Sequence, residues 1–145
     1  MTKKITHFGI VVNDADAACD LWCDSFGMKK AADMRIAEEG IRSVFISVDG
    51  TRDGMSIELM EPMDKADMNN AVARRLATKG EGFYHVCLEV GSVADSAKSL
   101  EARKMRVIHR DAVGGGGAGR WLVHPKDANG VMVEGIEGLE NKPAR

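Results

Sequence analysis

The pattern of hydrophobic and polar positions runs through the same order twice along this chain. In residues 4–62 a β-branched run, KITHFGIVV, precedes a helix pattern that Asn13 or Asp14 can cap, and three strand patterns follow. Residues 81–138 repeat that order, starting with the run GFYHVCLEV. Residues 63–80 are polar and then helical, as in a connector. The pattern therefore predicts two β-α-β-β-β modules in an α+β fold, with a linker helix between them.

One histidine and one glutamate occupy matching places in the two modules. His85 follows His7 by 78 positions, and each lies on the first predicted strand of its module. Glu134 follows Glu58 by 76 positions, and each lies on the last predicted strand. The small difference is an ordinary change of loop length. We therefore predict an internal duplication within a single domain, residues 1–145, that carries both pairs.

Composition excludes several classes of protein. The chain has 145 residues, of which 44% are hydrophobic and 29% are charged, as in an ordinary globular domain. The net charge of −2 provides no attraction to nucleic acid or to an anionic membrane. No apolar run is long enough for a membrane span, and MTKKI leads into a strand pattern without a signal-peptide core. We therefore expect a cytoplasmic protein without a nucleic-acid or membrane partner.

The three cysteines, Cys19, Cys23 and Cys87, are too few and too unevenly spaced for a disulfide framework. Cys19 and Cys23 are four positions apart on a predicted helix, so they share a face. That pair could bind a metal or act in redox chemistry. Buried thiols that behave as small hydrophobic side chains are the commoner outcome, and we expect them here.

The two histidines and the two glutamates form a sound ligand set for a divalent cation. Imidazole suits Zn²⁺, Co²⁺ and Ni²⁺, while carboxylates add negative charge and accept Mn²⁺. Four protein ligands would leave open positions on an octahedral ion, as a catalytic metal requires. Because the ligands lie on separate strands, a sheet that curls around a cavity could gather them. The set is His7, Glu58, His85 and Glu134.

Each of these residues also has an ordinary structural explanation. A histidine on an apolar strand is most often a hydrogen-bonded core residue. A glutamate between apolar neighbours, as in SIEL and VMVEGI, could simply face water on an alternating strand. A buried glutamate would need a partner, because burying an unpaired carboxylate is costly. The repeat favours the metal site, and the structural explanation stays open beside it.

Four motifs together resemble the vicinal oxygen chelate superfamily, which includes glyoxalase I, bleomycin-resistance proteins and extradiol dioxygenases. They are ITHFGIVVNDADAACDLW, IELMEP, GEGFYHVCLEV and HPKDANGVMVE, and the resemblance extends from Lys4 to about Glu137. The last two motifs are most similar to the methylmalonyl-CoA epimerases of this superfamily. The resemblance implies two βαβββ modules that form an open, curled eight-stranded sheet around a divalent metal, in a chain that forms homodimers.

The resemblance also implies a reaction, the interconversion of 2R- and 2S-methylmalonyl-CoA or of a similar acyl-CoA. His7, Glu58, His85 and Glu134 would bind the metal, which could be Co²⁺, Zn²⁺, Mn²⁺ or Ni²⁺. The metal would stabilise the enolate that forms when C2 of the substrate loses its proton. Glu134 is the first candidate for the catalytic base, and Glu58 is the second.

One position departs from the family pattern. Some epimerases carry a second glutamate on the third strand as the opposing base, and gapless alignment on Gly40 puts Ser43 there. Serine is a poor base at neutral pH without an activator, so Glu58 or a water would act on that side. Ser43, Lys126 in the HPKDANG turn and Gly116 in the glycine loop are candidates for substrate contacts. A solvated lysine and a flexible loop are the commoner explanations for the last two.

Two other functions fit the same fold. A glyoxalase I-like lyase that acts on a hemithioacetal would use the same metal ligands. A ligand-binding protein of the bleomycin-resistance type would need no metal, and the intact set of two histidines and two glutamates weighs against it. We therefore expect a metal-dependent isomerase, a racemase or epimerase, that acts on an acyl-CoA.

Overall fold

Eight strands and three α-helices form in the part of the chain that the structure, a computed structural model, describes: residues 1–113 and 118–138. Their order is β-α-β-β-β twice, with one helix between, and this confirms the predicted α+β class. Among these residues no helix combines the length and the apolar character that crossing a membrane requires. The elements are β1 (Thr2–Val11), α1 (Ala15–Phe26), β2 (Lys29–Ile36), β3 (Ile41–Ser47), β4 (Ser56–Pro62), α2 (Ala71–Lys79), β5 (Gly82–Val90), α3 (Val93–Ala102), β6 (Val107–Arg110), β7 (Arg120–Val123) and β8 (Met132–Ile136).

The eight strands belong to one sheet, as predicted. Their order in the sheet is β2-β3-β4-β1-β5-β8-β7-β6. The chain divides into two compact units: an N-terminal unit, residues 7–84, and a C-terminal unit, residues 1–6 together with the described residues between His85 and Gly138. Strand β1 contributes to both units, because its first residues belong to the C-terminal unit and the rest of the strand belongs to the N-terminal unit.

In the N-terminal unit, β1 and β4 run parallel, and β3 and β2 follow as antiparallel neighbours. Helix α1 begins after the cap Asp14, whose side chain accepts a hydrogen bond from the Ala17 N–H. It ends at Gly27, whose φ of 70° favours glycine. The core where α1 meets the strands consists of small and branched side chains: Val12, Ala15, Cys19, Val44, Ile46 and Leu59.

In the C-terminal unit, β5 and β8 run parallel, and β7 and β6 follow as antiparallel neighbours. The indole N–H of Trp121 on β7 donates to Ser96 Oγ on α3 at 2.8 Å. A Cβ on Gly135 of β8 would overlap the same indole ring, so glycine at this position leaves room for the tryptophan. The core of this unit consists of Val90, Val93, Ala97, Trp121 and Val123.

A glutamate at the end of the last strand caps the helix in each unit. Glu61 accepts a hydrogen bond from the Ala15 N–H at 2.8 Å, and Glu137 accepts one from the Val93 N–H at 2.8 Å. Both amides lie in the first turn of a helix, where N–H groups lack helical partners and a carboxylate is favoured. Each glutamate therefore ties the end of the last strand to the start of the helix in its own unit.

An ion-pair cluster joins α1, β2 and β3 in the N-terminal unit. Arg42 Nη2 lies 2.7 Å from Asp16 Oδ1 and 2.9 Å from Asp33 Oδ2. Hydrogen bonds from Arg42, and then from Lys30, hold the pKa of the Asp33 carboxyl well below its usual range. Asp33 therefore stays ionised in the folded protein down to a lower pH than in the unfolded chain.

The C-terminal unit has a comparable pair on its surface, Arg106 and Asp127. Arg106 Nη2 lies 2.9 Å from Asp127 Oδ1, and the backbone N–H of Arg106 donates to Asp127 Oδ2 at 2.8 Å. Both contacts lower the pKa of Asp127, the side-chain hydrogen bond more than the backbone one. The backbone contact does not depend on the identity of the side chain at position 106.

The Cys19 and Cys23 sulfur atoms lie 3.9 Å apart, on one face of α1 as predicted. Cys19 is part of the core of the N-terminal unit. Burial raises the pKa of its thiol to about 11, and the contact with Cys23 adds to the shift. A thiol that stays protonated at neutral pH packs as a small hydrophobic group, which agrees with the expectation from the sequence.

Candidate functional site

His7 and Glu58 meet on neighbouring parallel strands of the N-terminal unit. Glu58 on β4 pairs in register with Gly9 on β1, two positions after His7. His7 Nε2 lies 3.3 Å from Glu58 Oε1. Only 5% of His7 and 6% of Glu58 is exposed, so this carboxylate is buried rather than facing water. The imidazole gives it the kind of partner that burial requires.

Strand β3 adds a hydroxyl and an aromatic ring to this pair. Ser43 Oγ donates to Glu58 Oε2 at 2.5 Å. The Phe45 ring packs against the His7 ring edge to face, with 5.3 Å between the centroids. Ser43 is fully buried and holds the second carboxylate oxygen of Glu58. Its contact with a substrate stays a prediction.

The C-terminal unit repeats the arrangement of strands with His85 and Glu134. Glu134 on β8 pairs in register with Cys87 on β5, two positions after His85. Only 3% of His85 is exposed. The Cys87 thiol donates to Glu134 Oε1 at 3.3 Å. Histidine and glutamate thus have the same strand register in the two units, as an internal duplication would produce.

Arg120 is a neighbour of Glu134 that the sequence analysis missed. Its Nη1 lies 3.3 Å from Glu134 Oε2. Arg120 occupies the place on β7 that Ser43 occupies on β3, since each lies two positions before the residue that pairs in register with the glutamate. The sequence does contain a sign of this contact, the charged residue at the start of the apolar strand RWLV. Such a residue must face water or find a partner.

The donor chemistry fits a divalent cation. His7, Glu58 and His85 are buried side chains of the kinds that could hold a metal ion. Two ligands at about 2.1 Å from a cation lie about 3.0 Å apart at an octahedral angle and about 3.4 Å apart at a tetrahedral one. The 3.3 Å between His7 Nε2 and Glu58 Oε1 falls in that range. The pair in the N-terminal unit is therefore spaced to share one cation.

Of the two other predicted substrate contacts, Lys126 lies outside these pairs. Lys126 is exposed in the short 3₁₀ turn Pro125–Asp127, and its backbone N–H donates to His124 Nδ1 at 3.1 Å. Gly116 falls within residues 114–117, outside the described part of the chain. The role of both residues in substrate binding stays a prediction.

A family model for the Glyoxalase/Bleomycin resistance protein/Dioxygenase superfamily matches residues 6–123. The chain belongs to this superfamily. The match confirms the resemblance that the four sequence motifs indicated. Members of this superfamily catalyse different reactions, so the function is inferred from the relatives that are more similar to this chain.

Three proteins named as epimerases are similar to this chain over most of its length. The mitochondrial methylmalonyl-CoA epimerase of Dictyostelium discoideum is 30% identical over 133 residues, covering 90% of this chain and 76% of that protein. The ethylmalonyl-CoA/methylmalonyl-CoA epimerase of Cereibacter sphaeroides is 26% identical over 136 residues, covering 92% and 97%. The crystal structure of methylmalonyl-CoA epimerase from Mycobacterium tuberculosis matches with a TM-score of 0.80 at 28% identity, covering 99% and 90%.

Proposed function

We propose that this chain is an epimerase that interconverts the 2R and 2S forms of methylmalonyl-CoA, or of a closely similar acyl-CoA. The observation that carries the proposal is the buried histidine that recurs in both units, with a glutamate at the same strand register beside it. The three similar proteins all have acyl-CoA epimerase names, and two of them match nearly the whole of this chain and at least 90% of their own length.

We propose that His7, Glu58, His85 and Glu134 together bind one divalent cation, either Co²⁺, Zn²⁺, Mn²⁺ or Ni²⁺. Two imidazoles and two carboxylates are ligands that all four ions accept. When bound, such a cation supplies positive charge beside the thioester oxygen, where negative charge develops as C2 loses its proton. The spacing of His7 and Glu58 supports this assignment.

Glu134 is the proposed base at C2 of the substrate. Its carboxylate lies between the Cys87 thiol and the Arg120 guanidinium, and these contacts orient both oxygens. Epimerisation also requires proton delivery on the opposite face of C2, and Glu58 or a water fills that role. The Ser43 hydroxyl, which donates to Glu58, orients that second carboxylate. We also propose that the substrate contacts Ser43, Lys126 and Gly116.

Deuterium exchange tests the reaction. The metal-loaded protein is incubated with 2R-methylmalonyl-CoA in D₂O, and mass spectrometry follows deuterium at C2. We expect exchange that requires both protein and metal, and that E134Q abolishes. The exposed Glu101 on α3 offers a matched control, E101Q, which should keep full exchange. Absence of exchange, with turnover of the methylglyoxal–glutathione adduct instead, would make the protein a glyoxalase I-like lyase.

We also propose the wider organisation of the protein. The chain would be one domain built from modules at about residues 4–62 and 81–138, with residues 63–80 as the linker. It would act as a homodimer in the cytoplasm. The free thiols Cys19, Cys23 and Cys87 support a reducing compartment. Size-exclusion chromatography with light scattering tests the dimer, and fractionation of the source cells tests the location.

A further inference from the structure

Cys87 occupies a position of the C-terminal unit at which the N-terminal unit has no side chain. Cys87 on β5 pairs in register with Glu134 on β8, and Gly9 on β1 pairs in register with Glu58 on β4. The strand register thus makes Cys87 the counterpart of a glycine. The C-terminal unit therefore has a sulfur atom beside its glutamate where the N-terminal unit has only backbone.

The geometry of β5 directs this thiol to the face that carries His85. Cys87 lies two positions after His85, and alternate side chains of a strand share a face. None of Cys87 is exposed, and its Sγ lies 3.3 Å from Glu134 Oε1. The Thr6 hydroxyl donates to the carbonyl oxygen of Cys87 at 3.2 Å, which holds the backbone at this point. The thiol is thus a fixed, buried neighbour of two residues in the proposed ligand set.

The surroundings of Cys87 differ from those of Cys19. The Cys19 side chain packs in the apolar core of the N-terminal unit, whereas the Cys87 thiol contacts a carboxylate oxygen. A thiol is a weak hydrogen-bond donor, and a hydroxyl is a stronger one. In the N-terminal unit a hydroxyl, that of Ser43, donates to Glu58. A cysteine beside Glu134 is therefore a poor choice if hydrogen bonding is its only role.

The distance between the thiol and the carboxylate suits two ligands of one cation. A thiolate sulfur at about 2.3 Å and a carboxylate oxygen at about 2.1 Å from the same ion lie about 3.1 Å apart at an octahedral angle and about 3.6 Å apart at a tetrahedral one. The 3.3 Å between Cys87 Sγ and Glu134 Oε1 falls in that range. The donor atoms of both side chains are among those close enough to hold a metal ion. The same distance suits a hydrogen bond, so an experiment has to separate a ligand from a donor.

We propose that Cys87 is a further ligand of the divalent cation, and that its thiolate makes the site select Zn²⁺ or Co²⁺ over Mn²⁺. This inference rests on the proposed function and narrows the choice of metal there. Thiolates suit Zn²⁺ and softer ions, whereas Mn²⁺ prefers oxygen ligands. On binding, the thiol releases its proton to solvent, and Cys87 and Glu134 share the cation instead of that proton. Five protein ligands leave one open position on a six-coordinate ion, as a catalytic metal needs.

Cobalt spectroscopy tests the ligand directly. The metal-free protein is titrated with Co²⁺ in a buffer with a non-thiol reductant, which keeps the cysteines reduced without adding a competing thiol. We expect a near-ultraviolet sulfur-to-cobalt charge-transfer band that saturates at one ion per chain. A thiol that only donates a hydrogen bond to Glu134 gives no such band.

Substitution by serine measures the metal preference. C87S keeps a hydrogen-bond donor beside Glu134 and removes the sulfur, so it should lose the charge-transfer band. Its affinity for Zn²⁺ should fall by on the order of 10-fold or more, because even a contact that only supports a metal ligand is worth 10- to 100-fold. Its affinity for Mn²⁺ should change less than about threefold, since Mn²⁺ does not use the thiolate. Competitive titration with a chromophoric chelator measures both affinities.

Cys23 provides the matched control. It is a half-buried cysteine on α1, and its sulfur contacts that of Cys19. C23S also removes one thiol, but it should keep the charge-transfer band and both metal affinities. Circular dichroism shows whether each variant keeps its fold, and C87A serves if C87S does not fold.

The outcomes separate this inference from the proposed function. A wild type that binds Co²⁺ without the band would overturn the inference, and so would a band that survives in C87S. Equal weakening of Zn²⁺ and Mn²⁺ binding in C87S, or no weakening of either, would also overturn it. Deuterium exchange at C2 without the band leaves the epimerase function and removes the ligand. A band that C87S loses, in a protein that shows no exchange, leaves the ligand and removes the epimerase function.

Discussion

The two units use the same strand register to place a histidine and a glutamate, yet they surround the glutamate differently. In the N-terminal unit a neutral hydroxyl, Ser43, donates to Glu58 at 2.5 Å. In the C-terminal unit a guanidinium, Arg120, lies 3.3 Å from Glu134 at the equivalent position of the sheet. One glutamate therefore has a short contact with a small neutral donor, and the other has a long contact with a cation.

One repeated strand geometry thus gives the two glutamates different electrostatic environments. A carboxylate held by a neutral donor keeps its full negative charge, which agrees with the proposed role of Glu58 as a metal ligand. A carboxylate beside an arginine has part of its charge compensated, so Glu134 has a more positive environment than Glu58.

Removal of either histidine should have the largest effect. In H7A and H85A we expect affinity for Co²⁺ or Zn²⁺ to fall by on the order of 100-fold or more, with loss of C2 exchange, since loss of a contact that supports a metal ligand already costs 10- to 100-fold. Calorimetric metal titration measures the affinity. A large loss in one variant and none in the other would show that the two histidines are not equivalent.

A third histidine serves as the control for that experiment. His109 is exposed and pairs with Glu101 at 2.6 Å, away from the strands that carry the two pairs. H109A removes an imidazole without changing the proposed ligands, so its metal affinity should match that of the wild type. Circular dichroism of the metal-free variants shows whether H7A and H85A keep their fold.

Substitutions that replace the core residues Trp121 and Gly135 by those of the N-terminal unit should have the next largest effect, a loss of stability. Trp121 pairs in register with Gly135, where the N-terminal unit has Val44 opposite Leu59. W121V should cost about 3 kcal/mol of unfolding free energy because it leaves a cavity, and G135L should cost at least as much because its side chain overlaps the indole.

The double variant tests whether the two positions depend on each other. W121V/G135L recreates the valine–leucine pair of the N-terminal unit, so it should recover much of the loss seen in either single variant. Urea unfolding of the four proteins gives the coupling free energy. Costs that simply add would show that the tryptophan and the glycine are not matched to each other.

The smallest expected effect is on acid stability. The folded pKa of Asp33 is lowered, so its ionisation stabilises the protein above its ordinary value of 3.8 and that contribution is lost as the pH falls further. R42Q removes the main cause of the shift. The melting temperature of R42Q should therefore fall less steeply than that of the wild type between pH 5 and pH 3, by about 1–3 °C.

R106Q tests the acid dependence of stability at the corresponding ion pair of the C-terminal unit, Arg106–Asp127. Asp127 keeps the hydrogen bond from the backbone N–H at position 106, so part of its pKa shift survives the substitution. R106Q should therefore flatten the acid dependence less than R42Q does. The opposite order would mean that the backbone hydrogen bond does not sustain the lowered pKa of Asp127.

Much of the fold could be predicted from the sequence. Periodicity predicted the order of strands and helices, and local chemistry predicted a helix cap at Asn13 or Asp14, of which the structure has Asp14. The linker helix, which was predicted within residues 63–80, begins at Ala71, after the cap Asn70. These features depend on residues close together in the chain, which is why a single sequence reveals them.

The surroundings of the two glutamates could not be predicted in this way. The contacts of Ser43 with Glu58 and of Arg120 with Glu134 depend on the register between antiparallel strands. A shift of one residue would turn each side chain to the other face of the sheet, and spacing in the sequence does not set that register. The pairing of Trp121 with Gly135 was missed for the same reason.

The indole and the glycine opposite it also restrict the route by which the C-terminal half could have diverged. A tryptophan that arose opposite a leucine would have met an occupied space, whereas a glycine that arose opposite a valine would have left only a void. From a valine–leucine pair such as Val44–Leu59, the sterically allowed order is therefore glycine first and tryptophan second. With both in place, the replacement of either one alone costs stability, so the two positions are constrained to change together.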